Sequence, residues 1–200
     1  MPILRRSVTR AGRVGLRGLI LSALLSGVVP SLAGAAGEPS KPVNEYDLKA
    51  AFLFNFAQFV DWPSKAFPTP ETPITIGILG DDPFGHTLNE IVANEAVRSR
   101  RLIVRRFRSV EEIGTCHILF INPSESMSLP RILAALRHRS ILTVGETPDF
   151  ATRSGMIGFV VSDNRLRLRI NLAAARAARL TISSKLLRQA QIVGSDVAPE

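Results

Sequence analysis

Apolar positions along the chain follow two rhythms. Residues 45–62 repeat at helical spacing, and the stretch "AFLFNFAQFVDWP" (51–63) gathers four of the ten phenylalanines and the only tryptophan. A helix is predicted from Glu45 to Trp62, stopped by Pro63, which cannot continue it and restricts the residue before it. On a helical wheel Leu48, Phe52, Phe56, Phe59 and Val60 share one arc, with Asn55 and Trp62 at its margin. That arc is wide enough to dock a helix onto a sheet. Phe54 falls instead with Asp47, Gln58 and Asp61. It is therefore the residue of this run expected to meet a partner protein.

Beyond the proline-rich loop "SKAFPTPETP" the rhythm changes. Short apolar runs, "ITIGILG" (74–80), "RLIVRRF" (101–107), "CHILFIN" (116–122) and "ILTVGE" (141–146), read as strands. Between them lie "PFGHTLNEIVANE", a short "SVEEIG" and "SLPRILAALRHR", which read as helical. Such alternation predicts βαβ units in an α/β fold. The expected architecture is a mostly parallel sheet flanked by helices on both faces, a three-layer sandwich. Near the C-terminus "MIGFVV" and "RLRLRI" flank the turn sequence "SDN" and predict an antiparallel hairpin appended to that sheet. In "RLRLRI" arginine alternates with leucine or isoleucine, the period of a half-exposed strand near an edge. Two final helices are expected, in "LAAARAARL" and "SSKLLRQAQIV".

The first 35 residues have another character. Arg5, Arg6, Arg10, Arg13 and Arg17 come without an acid, an apolar run follows from Leu19 to Leu32, and Ala33-Gly34-Ala35 offers small residues for cleavage. This is the pattern of a secretory signal peptide. The apolar run falls short of the ~20 residues that cross a bilayer. Residues 36–44 are expected to be a flexible lead-in, 45–193 a single α/β domain and 194–200 a flexible tail. The location implied is the periplasm. The leader also alters the charge. The whole chain is +8, but with five arginines removed 20 basic residues face 17 acidic ones, a net of +3. No nucleic-acid partner is implied.

Candidate chemistry is sparse. One cysteine, Cys116, excludes an intrachain disulfide, and beside a strand it reads as a small buried hydrophobe. His86, His117 and His138 are scattered, so no metal site is expected. "GDDPFGHT" (80–87) has the glycine spacing of a phosphate loop, but His86-Thr87 stands where Lys-Ser or Lys-Thr is needed, and the phosphate-holding lysine is absent. Asp81 and Asp82 would also repel an anion. Asp82 reads better as a helix N-cap, with Pro83 at the first helical position. Open α/β sheets bind ligands beyond the carboxyl ends of their strands. That rule nominates Asp81, Asp82, Asn122, Ser124 and Glu125 for a small-molecule ligand. Arg98, Arg100, Arg101, Arg105, Arg106 and Arg108 crowd the second strand. They read as an edge kept soluble by charge, or as a face for anionic lipid or an acidic partner. There is no catalytic constellation and no cofactor motif, so the chain is not expected to be an enzyme.

Several stretches together carry a resemblance. "LKAAFLFNFAQFVDWP", "IGILGDDPFGHTL", "CHILFI", "ILTVGETPDFATRSGMIGFV" and "RLRINLAAARAARLTISSKLLRQA" are similar, in order, to the YfiR-like family (the DUF4154-type domain), over about residues 46–193. The resemblance implies a periplasmic α/β protein without catalysis. It would bind the periplasmic domain of an inner-membrane diguanylate cyclase and repress it, limiting cyclic di-GMP and biofilm formation. Better-known members of the family carry further cysteines, and the lone Cys116 leaves disulfide-based control without its second thiol. The alternative is a periplasmic small-molecule sensor feeding another membrane receptor or kinase. A homodimer is left open.

Overall fold

The computed structural model describes residues 44–194. The predicted leader, most of the flexible lead-in and most of the tail lie outside the described residues. Asn44 starts the first helix, α1 (Glu45–Phe59), by accepting the Tyr46 N–H at 3.2 Å on its side-chain oxygen. Glu45 and Asp47 place negative charge in the first turn, where the helix dipole favours it. The helix ends three residues before the predicted Trp62. Val60–Asp61 form a short strand, β1, because they pair antiparallel with β9 (Thr181–Ile182). Tertiary pairing, rather than Pro63, stops the helix.

The buried face of α1 is also rotated from the predicted arc. Ala50, Leu53, Phe56 and Ala57 are buried, followed by Val60, whereas Leu48 is 40% exposed. Two alanines allow the backbone to come close to the sheet. The bulkier Phe52, Phe54 and Phe59 are half-buried against the same core. An arc weighted by ring size therefore points away from the true line of contact.

The remaining elements are β2 (Ile74–Leu79), α2 (Thr87–Val92), β3 (Ala96–Val97), β4 (Arg100–Phe107), β5 (Ile118–Ile121), α3 (Leu129–Leu136), β6 (Leu142–Gly145), β7 (Ile157–Ser162), β8 (Arg165–Asn171), α4 (Leu172–Ala177), α5 (Ser184–Leu187) and β10 (Ala190–Val193). Eight strands form the central sheet in the order β10-β8-β7-β6-β5-β2-β4-β3. Its pairs are parallel except β3/β4 and β7/β8. The mostly parallel α/β sheet is thus as the sequence predicts.

Alternation along the strands divides the core. Ile76, Ile78, Ile118, Phe120, Leu142 and Val144 pack under α1 and α2. Leu79, Leu119 and Ile121 point the other way and meet Leu129, Ile132 and Leu136 of α3. Successive strand residues face opposite sides, so one sheet supports two helical layers.

The C-terminal third departs from expectation. The β7/β8 hairpin is present, and its turn residues Asp163 and Asn164 both have positive φ (51° and 56°), as a two-residue hairpin turn with matching twist demands. However, β8 lies one strand in from the edge. The predicted last helix is cut short at Leu187, and its second half becomes β10, paired parallel to β8. In "AQIV" the β-branched Ile192 and Val193 suit the strand state.

Candidate functional site

The strand order reverses at β2. One connection leads from β2 outward to β4, and the other leads through β5 to β6. The crevice at such a reversal is where parallel sheets usually bind ligands. The structure brings the predicted loops together there, and they bind each other. The Asp81 N–H donates to Ser124 Oγ at 3.1 Å, and Asn122 Oδ1 accepts from Ser124 N–H at 2.8 Å. Gly80 has φ +86°, and a Cβ on it would stand 2.5 Å from Ser124 Oγ. The chain needs glycine there both for the conformation and for the approach. Glu125 contributes its backbone to a turn, donating N–H to the Asn122 carbonyl at 2.9 Å.

Asp82 caps a turn rather than the helix. Its Oδ1 accepts the Phe84 and Gly85 N–H groups at 2.8 and 3.3 Å, and α2 begins only at Thr87. Pro83 is accordingly outside the helix. The other carboxylate oxygen of Asp82 receives Arg106 Nε at 2.8 Å. Arg106 also donates to the Gly85 carbonyl and to Asn89 Oδ1.

That contact revises the arginine cluster. Arg98 pairs with Asp61 and donates to the Val60 carbonyl. Arg100 donates to the carbonyls of Thr69, Pro70 and Thr72 and lies 4.1 Å over the Phe67 ring. Three of the six arginines read as solvated edge charges thus tie loops to the sheet. A planar guanidinium with five donors suits such convergent carbonyls.

A second cluster escaped the sequence reading. Lys49 is 3% exposed and lies at the carboxyl end of β6. Its ammonium pairs with Glu146 and with Glu45 (2.5 Å), and it sits 4.4 Å over the Tyr46 ring. Tyr46 donates its hydroxyl to the other Glu146 oxygen at 3.1 Å. Burial lowers the lysine's proton affinity, but hydrogen bonds and charges from Glu146 and Glu45 outweigh it and hold its pKa above the usual value. The Tyr46 phenol is pushed up by burial and then by the Glu146 carboxylate. A cleft of about 490 Å³ opens beside this cluster, lined also by Thr147, Pro148 and Phe159. The clue was Lys49 itself, a charge lying near the apolar side of a helix.

The family model described as YfiR/HmsC-like, DUF4154, matches residues 46–191, from the first turn of α1 into β10. The chain belongs to the YfiR/HmsC-like family. No curated protein matches it. YfiR-like proteins are periplasmic regulators of diguanylate cyclases, a regulatory and non-catalytic role. Within this YfiR-like fold Cys116 is buried, its Sγ 3.2 Å from the Ile118 carbonyl, and burial pushes its pKa up to about 12. Such a thiol is neither a ready nucleophile nor a ready partner for exchange. Phe54 lies on the flank of α1, half-buried against the main core, so part of its ring is available to another surface.

Proposed function

We propose that this chain is exported by its leader and represses an inner-membrane diguanylate cyclase by binding its periplasmic domain. Repression would hold cyclic di-GMP and biofilm formation down. The observation that carries this reading is the family match over residues 46–191. It takes in α1, the sheet and the C-terminal strands together, and so concerns the whole described fold rather than one motif. The role is non-enzymatic. Cys116 is buried with its pKa raised to about 12, and His117 is buried with both ring nitrogens engaged. Phe54 is the side chain we assign to the contact with the cyclase.

The small-molecule reading has less support. At the crevice where it would apply, the Ser124 hydroxyl, the Asn122 amide and the Asp82 carboxylate already have partners within the protein. A titration of the purified protein with the cyclase's periplasmic domain tests the proposal, alongside cyclic di-GMP in a strain lacking the gene. Saturable binding and a rise in cyclic di-GMP are expected. No binding and an unchanged level would overturn it. Phe54→Ala should fold and bind more weakly, and undiminished affinity would remove Phe54 from the contact.

A further inference from the structure

The hairpin leaves one sheet face unlike any other. On β8, Leu168 and Ile170 point into the main core, so Arg165, Arg167 and Arg169 point to the opposite side. Pairing adds Ser162 opposite Arg165, Val160 opposite Arg167 and Gln191 beside Arg169. Arg188 joins them at the rim of a cleft of about 600 Å³. Arg165, Arg167, Arg188 and Gln191 are exposed. Among the described residues the salt bridges involve Lys49, Arg98, Arg106 and Arg131, and none of these four arginines. Arg169 donates only to the neutral Gln191, at 3.1 Å.

We infer that this face binds the phosphate headgroups of anionic phospholipid at a membrane surface. The spacing favours such an array. Alternate strand residues lie roughly 7 Å apart, so three guanidiniums in line span a distance no single phosphate fills. Guanidinium forks match phosphate oxygens. A protein partner would be expected to meet tryptophan or tyrosine anchors beside the arginines, and none lines this cleft. Of the apolar residues lining the cleft, Leu168 and Ala190 pack against the main core, which leaves half-buried Val160 among arginine, serine and glutamine. A second copy of this chain would bring its own arginines against these and be repelled. The inference goes beyond the repressor reading and does not require it. If both hold, lipid contact would confine the protein to the surface in which its target is embedded.

The test is co-sedimentation of the purified protein with phosphatidylcholine vesicles, with and without phosphatidylglycerol. The protein should sediment only with the anionic vesicles, and less as salt is raised. Arg165→Gln/Arg167→Gln/Arg188→Gln should weaken this by roughly tenfold or more. Arg101→Gln/Arg105→Gln/Arg108→Gln removes the same charge elsewhere and should stay within about twofold of the unmodified protein. Absence of binding to anionic vesicles would overturn the inference. So would equal losses in both variants, which would mean net charge alone acts. If the first variant kept its vesicle binding but lost the cyclase domain, the face would be a protein-docking surface and the lipid assignment would be wrong.

Discussion

Lys49 stands where a docking helix would normally present an apolar side chain, and its charge is tolerated because Glu146 and Glu45 meet it. Removing one member of a buried pair leaves the other uncompensated, which typically costs ~3–5 kcal/mol. Lys49→Met should therefore lower the midpoint of denaturant unfolding sharply. The double variant Lys49→Met/Glu146→Leu should recover much of the loss, since the orphaned carboxylate is gone. A Lys49→Met protein as stable as the parent would show that the cluster does not hold α1 to β6. His117 gives a second residue-scale prediction. Its Nδ1 accepts the Thr75 N–H at 3.0 Å, so the neutral ring carries its proton on Nε2, 3.1 Å from the Ala66 carbonyl. Burial, with some repulsion from Arg100, lowers its pKa below 6.5, against the Ala66 hydrogen bond, which raises it. The unfolded chain then binds this proton more readily than the folded one. Stability is full above about pH 6.5 and falls as acid is added, by at most ~1.4 kcal/mol per pH unit until the folded ring also protonates. Melts between pH 7.5 and 5 should show that fall, and His117→Gln should flatten it while starting lower. An identical pH dependence in both proteins would exclude His117 as its source.

At the scale of elements, α1 shows where a sequence pattern leads and where it misleads. Its position and amphipathic character are legible in "AFLFNFAQFVDWP". Its contact line is not, because Ala50 and Ala57 carry little hydrophobic weight yet allow the closest approach. The mutational hierarchy should follow the observed face. Leu53→Ala and Phe56→Ala, both at fully buried positions, should each cost ~3–5 kcal/mol in thermal or denaturant unfolding. Phe54→Ala, half-buried on the flank, should cost roughly half as much or less. A Phe54→Ala protein as unstable as Phe56→Ala would mean that its ring belongs wholly to the core. The parallel strands were readable for a firmer reason. Runs such as "ITIGIL" carry no charge and no polar face, with Thr75 the one polar residue, and every position is buried, as in a strand covered on both sides. At the candidate site, the meeting of the 80–82 and 122–125 loops followed from topology. Their mutual hydrogen bonds, and the clamp of Lys49 on Glu146, depend on contacts across 43 and 97 residues that no local pattern records.

Over the whole molecule, the least legible part is the C-terminal segment, and its misreading has one cause. "SSKLLRQAQIV" has adequate helical spacing in isolation, but β8 presents an open parallel edge that the last four residues complete. The same segment also reaches back to the beginning of the described chain. Thr181 and Ile182 pair with Asp61 and Val60, and the Ser183 N–H donates to the Phe59 carbonyl at 2.8 Å. Ile182 and Leu186 then close the core beneath α1. Residues 181–193 are thus a strap joining the first helix, the core and the far edge of the sheet, rather than an appendix to a finished domain. A chain ending at Leu180 would lose both strand pairings and expose the apolar surface these residues cover. Domains are held by only ~5–15 kcal/mol, so a loss of this extent should abolish cooperative unfolding. Calorimetry of the truncated protein should show no sharp transition, and hydrogen exchange should be accelerated in α1 as well as in β8. A truncated chain that melted cooperatively near the parent's temperature would mean that the fold is complete by Leu180 and that the C-terminal pairings are incidental to it.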